Sequence, residues 1–281
     1  MKAEWKTLVG RFPAREVSGA GRRFSYRRAG RGPDLVLLHG IGSGSASWVH
    51  QLAHFQDRHR VTAWDAPGYG GSDPLDRAEP VAQDYAQALG AFLEALAIDR
   101  AVIVGHSLGA MMAAAFAAAP ATAWAGELGG LVLAAPALGF ARAAAKIRQR
   151  ELADRLSSMK RLGPEGLAKA RSPAVLSADA TPEALALVQW NMARLTVAGY
   201  AAAVHLLVHG DLARDAARAD LPMLVVCGDA DTVTPPDQSR SFAEALPAAE
   251  YKEISGAGHA CYIERPAEFN RLLGAYAQSR A

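Results

Sequence analysis

The sequence predicts an α/β protein built on a doubly wound, mostly parallel sheet of about eight strands. Short apolar runs alternate with helix-like segments, the pattern of a parallel sheet covered by helices on both faces. Several runs are apolar at consecutive positions, as strands buried on both sides require. The strand-like runs are 24–29, 35–38, 61–64, 101–104, 131–134, 223–227 and 250–254.

The alternation of strands and helices stops between Phe140 and about Asp220. Because strand-like runs flank this segment on both sides, we expect it to be a helical cap inserted into the sheet domain. The predicted domains are a core of residues 1–139 and 221–281 and a cap of residues 140–220. The helix-like segments of the cap are 141–159, 164–171, 182–194 and 197–209.

Composition indicates a globular protein without an obvious macromolecular partner. The chain has 281 residues, 51% of them apolar, which is enough to form a large core. A formal net charge of +2 gives no nucleic-acid footprint. No signal-peptide core or uncharged run long enough to span a membrane is present, so we expect a cytoplasmic protein. We expect it to be a monomer or a homodimer. Cys227 and Cys261 are expected to be free thiols.

A Gly-x-Ser-x-Gly pentapeptide makes Ser107 the candidate nucleophile. It lies directly after the apolar run 101–104 and before a helix-prone stretch, so the serine should sit on a sharp strand-to-helix turn. Gly105 and Gly109 would remove side chains that otherwise collide where the strand and the helix pass each other. The neighbouring His106 is expected to be a packing residue.

A serine nucleophile needs a base to take its proton and an acid to orient that base. Near the C-terminus a glycine-rich loop follows a strand-like run and contains His259, the candidate base. Between them, the loop after the run 223–227 offers two carboxylates, Asp229 and Asp231. The three loops all follow predicted strands, whose carboxyl ends meet at one edge of a parallel sheet.

With these motifs the chain resembles the α/β-hydrolase superfamily along nearly its whole length. Two further stretches match that family: the His-Gly loop after the run 35–38, and the Asp-x-Pro-Gly-x-Gly-x-Ser loop from Asp65 to Ser72. The resemblance implies the chain order serine, acid, histidine and a Gly-x-x-Asp-x-x-x-Pro acid loop, which favours Asp231. It also implies an oxyanion hole, for which we assign the amides of Ile41 and Leu108, with Gly42 as the alternative to Ile41.

The resemblance implies a cofactor-free serine hydrolase acting on a small carboxylic ester or lactone. The cap run 195–202 and the pair 211–212 are similar to the enol-lactonase branch that opens 3-oxoadipate enol-lactone. Alternatives on the same triad are a carbon–carbon bond hydrolase of ring-cleavage diketones and a thioesterase. The carbon–carbon reaction is disfavoured because Ala260, not an aromatic residue, follows His259. A non-enzymatic ligand receptor on the same fold is the alternative from another class.

Several side chains are candidates for the substrate pocket between cap and core. The apolar candidates are large side chains that lie near the predicted loops or on cap helices, where they could line a pocket. An arginine of the cap could pair with a substrate carboxylate. These candidates are Trp48, Met111, Phe140, Trp190 and Arg194. His205, His209 and Asp211 have a spacing that could hold a metal, but we assign no metal site because the zincin glutamate is missing.

Overall fold

The computed structural model describes residues 4–119 and 124–280, which form one eight-stranded sheet with helices packed against it. Along the sheet the strands follow the order β1-β2-β4-β3-β5-β6-β7-β8. Strand β2 is antiparallel to both of its neighbours, and the remaining pairs are parallel. The strands are β1 (Arg15–Gly19), β2 (Arg22–Ala29), β3 (Asp34–Leu38), β4 (Arg60–Trp64), β5 (Arg100–His106), β6 (Glu127–Ala134), β7 (Met223–Gly228) and β8 (Ala249–Ile254).

This architecture confirms the predicted fold class and all seven strand-like runs. The eighth strand, β1, has no apolar run because most of its residues are exposed or half-buried at the edge of the sheet. Strands β3 and β7 are buried at every position, which explains their continuous apolar sequences. The register places His106 opposite Ala134, and Ala134 opposite Val226, so β5, β6 and β7 end at the same edge.

The helices form two layers around this sheet. Helices α3 and α8 both pack against α4 in one layer, while α2 packs against α11 in the other. Helix α4 is apolar and buried around almost its whole circumference. The helices are α1 (Glu4–Arg11), α2 (Val49–Phe55), α3 (Ala82–Ala95), α4 (Leu108–Ala117), α5 (Ala145–Arg171), α6 (Pro182–Met192), α7 (Val197–His209), α8 (Leu212–Arg218), α9 (Pro236–Glu244), α10 (Cys261–Glu264) and α11 (Pro266–Gln278).

The segment between β6 and β7 is helical, as the sequence predicts. Helix α5 is broken at Gly163, whose φ of 63° interrupts the helical conformation before Pro164. Proline is favoured in the first turn of a helix because its missing N–H has no partner to lose there. Thr181 and Thr196 cap α6 and α7 through their side chains. Helix α8, although it lies within the predicted cap segment, packs on α4 of the core.

The cap contacts the core at points where two glycines meet. A Cβ atom on Gly199 would lie 2.1 Å from the main-chain oxygen of Gly68, and the Thr196 hydroxyl donates a 2.9 Å hydrogen bond to the same oxygen. A Cβ atom on Gly139 would likewise lie 2.1 Å from Gly210 O. These backbone contacts hold the cap directly over the carboxyl edge of the sheet.

Across the described ranges, no single helix has the length and apolar character needed to cross a membrane; α6 and α7 together meet that criterion but are separated by a bend of 100°.

Candidate active site

Ser107 occupies the turn between β5 and α4 with strained backbone angles. Its φ of 52° and ψ of −113° lie outside the regions that L-residues favour. A Cβ atom on Gly105 would lie 2.4 Å from Gly109 O, and one on Gly109 would lie 2.4 Å from Leu38 O. Both glycines are therefore needed for the close passage of strand and helix, as the sequence indicates.

His259 and Asp231 form a buried hydrogen-bonded pair. His259 Nδ1 lies 2.8 Å from Asp231 Oδ2, and both side chains are almost fully buried. The Thr234 hydroxyl lies 2.8 Å from the same carboxylate oxygen and 3.1 Å from His259 Nδ1. The other oxygen, Oδ1, accepts hydrogen bonds of 2.7 and 2.9 Å from the amides of Val233 and Thr234. This arrangement orients the imidazole through Nδ1.

Hydrogen bonding keeps the Asp231 carboxyl in its charged form. Burial acts to raise its pKa, but the hydrogen bond and electrostatic interaction with His259 and the hydrogen bonds of Thr234 outweigh burial and lower the pKa below its usual value. Asp229 is directed elsewhere and accepts hydrogen bonds from Ser255 Oγ at 2.9 Å and the Gly256 amide at 2.7 Å. The structure thus brings Asp231, and not Asp229, to the histidine.

Ser107 and His259 line one cavity of about 360 Å³ between cap and core. In the parts of the chain that the structure describes, no hydrogen bond joins the Ser107 hydroxyl to the imidazole; such bonds are often long in enzymes without substrate. His106 Nε2 lies 2.9 Å from the main-chain oxygen of His259, and the two rings are 4.8 Å apart. His106 therefore packs behind the candidate base while also contributing to the cavity wall.

The His-Gly loop after β3 is fixed around the cavity by buried polar contacts. The His39 ring lies 2.8 Å from Gly40 O through Nδ1 and accepts a 3.0 Å hydrogen bond from the Ala66 amide at Nε2. Burial lowers the pKa of His39, so the ring is neutral and its Nδ1–H can donate to Gly40 O. The Tyr69 hydroxyl donates to Ile41 O at 3.0 Å. His39 thus holds this loop in place.

Both amides assigned to the oxyanion hole belong to residues that line the cavity. Leu108 is the first residue of α4, so its N–H has no acceptor within the helix. The Ile41 amide follows Gly40, whose Cα faces Ser107: a Cβ atom there would lie 3.1 Å from Ser107 Cβ. Two N–H groups beside the serine can stabilise a negatively charged oxygen.

The structure separates the candidate substrate residues into two groups. Phe140 lines the cavity, together with Met192 from α6. Trp48 instead is fully buried and stacks on Tyr262 at 4.0 Å between ring centroids. Met111 is buried beneath Gly139 and Gly210, which its methyl group approaches. Trp48 and Met111 are therefore not found on the cavity wall, where we expected them, because both side chains are buried in the core.

Trp190 and Arg194 also lie away from the cavity lining. The Trp190 ring packs on Trp5 of α1 with 5.6 Å between centroids. The Arg194 guanidinium lies 3.6 Å above the Trp190 ring and donates to Trp190 O at 2.9 Å. Helix α6 turns the Trp190 side chain toward α1, and Arg194, just beyond the end of α6, packs on Trp190. The periodicity of one helix does not specify these directions. Their predicted substrate contacts are corrected accordingly.

The histidines of α7 do not form a metal cluster in the described residues. The His205 and His209 rings are nearly parallel, with centroids 6.1 Å apart. Asp211 makes a 2.8 Å ion pair with Arg142 and accepts a 3.0 Å hydrogen bond from the Arg214 amide at the start of α8. Its carboxylate is thus already used as a helix cap and an ion-pair partner.

One residue that contacts the candidate base loop was not anticipated from the sequence. Glu264 is buried and accepts a 2.7 Å hydrogen bond from the Gly258 amide. It also accepts hydrogen bonds from Ser177 N at 3.0 and 3.1 Å and from Ser177 Oγ at 2.6 Å. Glu264 thereby joins the loop that carries His259 to the segment of the cap between α5 and α6. A glutamate in an otherwise apolar C-terminal segment was the available signal.

Cys227 and Cys261 are both free and buried beside the acid loop. The Cys227 sulfur lies 3.8 Å from Asp231 Oδ2. Burial raises the pKa of Cys227 to about 12 and that of Cys261 well above its usual value. Both side chains therefore remain protonated thiols near neutral pH and are poor nucleophiles.

Comparison with known proteins agrees with the fold and the motif order. The model of the alpha/beta hydrolase family matches residues 35–272. A protein of Enterobacter cloacae named "Putative carbamate hydrolase RutD" is 31% identical over 255 residues, covering 86% of this chain and 90% of the relative.

Two solved structures share the fold. The enol-lactonase from Burkholderia xenovorans superimposes with a TM-score of 0.82 at 24% identity, over 94% of this chain and 100% of the other. The thermophilic esterase from Thermogutta terrifontis gives 0.83 at 20% identity, over 95% and 98%. The family match spans both the strand-to-helix turn of Ser107 and the loop of His259, and the chain belongs to the alpha/beta hydrolase family.

Proposed function

We propose that the protein is a serine hydrolase that cleaves a small carboxylic ester or lactone through an acyl-enzyme. The observation that carries this proposal is the 2.8 Å pair of His259 and Asp231, in which His259 shares the wall of one cavity with Ser107. The chain belongs to a family of hydrolases. The serine mechanism and the substrate are what we propose. A cytoplasmic location and a small-molecule substrate as the only partner are part of it.

In the first half of the reaction, Ser107 attacks the substrate carbonyl. Asp231 accepts a hydrogen bond from the Nδ1–H of His259, which leaves Nε2 without a proton and able to take the proton from the Ser107 hydroxyl. The oxygen atom of the carbonyl becomes negatively charged and accepts hydrogen bonds from the Ile41 and Leu108 amides. When the tetrahedral intermediate collapses, His259 gives its proton to the departing oxygen, and the acyl group remains on Ser107.

The second half repeats these steps with water. His259 removes a proton from water, which attacks the acyl carbonyl, and the same two amides stabilise the new oxyanion. Collapse of this intermediate breaks the bond to Ser107 Oγ, which recovers its proton from His259. The products are a carboxylic acid and an alcohol, or one hydroxy or keto acid when the substrate is a lactone.

A nucleophile test addresses the mechanism directly. Wild-type protein should react covalently with a fluorophosphonate probe at Ser107, and Ser107→Ala should neither be labelled nor hydrolyse 4-nitrophenyl acetate above about a thousandth of the wild-type rate. Ser157→Ala, which changes an exposed serine of α5, is the matched control and should retain both properties. Probe attachment at another residue, or normal turnover by Ser107→Ala, would rule out the proposed nucleophile.

A carbamate is the second candidate substrate, favoured by the 31% identity to the relative named as a carbamate hydrolase. The same serine and oxyanion hole could attack a carbamate carbonyl. A panel of 4-nitrophenyl acetate, an enol-lactone, an acyl thioester, a vinylogous diketone and an alkyl carbamate distinguishes the reaction classes by kcat/KM. We expect the ester or the lactone to rank first.

A further inference from the structure

We propose that the substrate carries a second, anionic group remote from the scissile carbonyl, and that Arg155 and Arg171 of α5 bind it. This inference rests on the proposed hydrolase function and specifies its substrate class. The anion that we infer is a carboxylate, placed on either the acyl or the alcohol part of the ester.

The charge of the cavity wall favours an anion. Arg155 and Arg171 are both part of the lining, whereas none of the lining residues is an aspartate or a glutamate. Asp231 lies behind His259 and is outside this lining. Much of the remaining wall is apolar, with residues such as Leu138, Phe140 and Leu167. A cavity with two cations and no lining anion attracts negatively charged ligands.

The two guanidinium groups retain unused hydrogen-bond donors. Arg155 pairs with Glu151 only through Nε, at 3.2 Å, and its side chain is 20% exposed. Arg171 forms neither an ion pair nor a hydrogen bond with its side chain anywhere in residues 4–119 and 124–280. An arginine has five N–H donors in a planar fork that matches a carboxylate. The free N–H groups are therefore suited to binding a ligand carboxylate.

Arg171 is an exposed residue whose main chain lies at a defined place relative to the candidate catalytic groups. It is the last residue of α5, and the following Ala174 and Val175 also line the cavity. The Ala260 amide, next to His259, donates a 2.9 Å hydrogen bond to Val175 O. A positive charge at a helix C-terminus also interacts favourably with the helix dipole. The interaction with the helix dipole alone would not require Arg171 to lie on the cavity wall.

The test compares charged and uncharged esters of the same shape. In the acyl arm, monomethyl glutarate is compared with its uncharged terminal amide; in the alcohol arm, 4-acetoxybenzoate is compared with its uncharged primary amide. We expect wild-type kcat/KM to favour the anion in one arm by roughly tenfold, since a charged hydrogen bond at a partly exposed site is worth about that factor. Added NaCl should reduce the preference.

The variants Arg155→Met and Arg171→Met, singly and combined in a double variant, should reduce the preference, because kcat/KM should fall more for the charged esters than for their uncharged partners. Arg161→Met removes an exposed arginine of the same helix that does not line the cavity, and it should keep the preference. Equal kcat/KM for charged and uncharged partners in both arms, or a preference that survives in the double variant, would overturn the inference alone. Failure of the wild type to cleave any of the esters would overturn the proposed hydrolase function as well.

Discussion

Glu264 Oε2 accepts a 2.7 Å hydrogen bond from the amide of Gly258, the residue directly before His259. The same carboxylate binds the main chain and hydroxyl of Ser177, just beyond the 3₁₀ turn Pro173–Val175 that ends the first part of the cap. A Cβ atom on Gly258 would lie 2.5 Å from the main-chain carbon of Leu176, so this loop and the cap are in direct contact. Glu264 therefore connects the position of the candidate base to the position of the cap.

Glu264→Gln should lower kcat with little change in KM. The variant replaces one acceptor oxygen by an NH₂ group that faces N–H donors, which leaves a buried donor without a partner at a cost of about 1–3 kcal/mol. We expect the loop of His259 to move and kcat to fall by roughly tenfold or more. Steady-state kinetics on an activated ester, well below the melting temperature, measure this effect.

Glu268→Gln is the control for that variant. Glu268 is exposed on α11, where it pairs with Arg271, and its replacement should leave kcat unchanged. If Glu264→Gln lowered only the melting temperature and not kcat, the carboxylate would be a structural residue without influence on His259. Ser177→Ala, which removes one of the hydrogen bonds from the cap side, should show a smaller decrease of the same kind.

Asp231→Asn should reduce kcat/KM by about three orders of magnitude, and Asp229→Asn by less than about threefold. The carboxylate that contacts Nδ1 fixes the histidine tautomer and stabilises its charged form, whereas an amide can favour the wrong tautomer. Asp229 only orders the turn at Ser255 and Gly256. The two variants form a matched pair in one loop. Comparable losses in both, with native circular dichroism spectra, would contradict the assigned acid.

The candidate residues could be located in the sequence because each lies in a glycine-containing loop after a strand-like run, and the resemblance to the α/β-hydrolase superfamily implies their order along the chain. Parallel strands then bring the three loops to one edge. The direction of the larger side chains could not be predicted in this way. Trp48 faces the core because its ring stacks on Tyr262, a residue from the opposite end of the chain. Trp190 faces α1 because Trp5 lies there. Such contacts depend on the tertiary arrangement of helices, which local periodicity leaves open.

Local sequence patterns also leave open some tertiary contacts of the cap and of buried polar residues. The break at Gly163 and Pro164 and the starts of α6 and α7 have local signals, and these were predicted to within a few residues. No local sequence signal predicts that α8 packs on the core, because its short sequence fits either domain. The partners of Glu264 lie on two distant segments, so its buried network becomes visible only in the folded chain.

Stability toward acid should depend on His106. Burial, with the nearby charge of His259, lowers the pKa of His106 from 6.5 to about 3. Between pH 3 and pH 6.5 the unfolded chain binds a proton at His106 that the folded protein does not bind. The free energy of unfolding therefore has its full value above pH 6.5 and decreases as the pH falls toward 3. This one proton contributes about 1.4 kcal/mol per pH unit within that window.

Urea unfolding at pH 6, 5 and 4 tests this dependence in His106→Gln. The glutamine does not titrate, and it can still donate a hydrogen bond toward His259 O, so its free energy of unfolding should fall less steeply than that of the wild type. His54→Gln, at an exposed position on α2, should behave as the wild type does. Parallel curves for wild type and His106→Gln would mean that His106 does not enter the folded protein as a neutral buried group.

Substrate selectivity should respond to the cavity side chains and not to the aromatic contact behind α6. Phe140 and Met192 line the cavity, so Phe140→Ala and Met192→Ala enlarge the space around the acyl group. Because one methylene in an apolar pocket is worth about 1–3 kcal/mol, the ratio of kcat/KM for hexanoyl over acetyl esters should change by roughly tenfold or more. Trp190→Ala removes the packing on Trp5 and should lower the melting temperature while leaving that ratio unchanged.

Measuring acetyl, butanoyl and hexanoyl esters beside thermal melts separates the two effects. A changed ratio in Trp190→Ala, with unchanged ratios in both cavity variants, would assign acyl selectivity to the interface between α1 and α6.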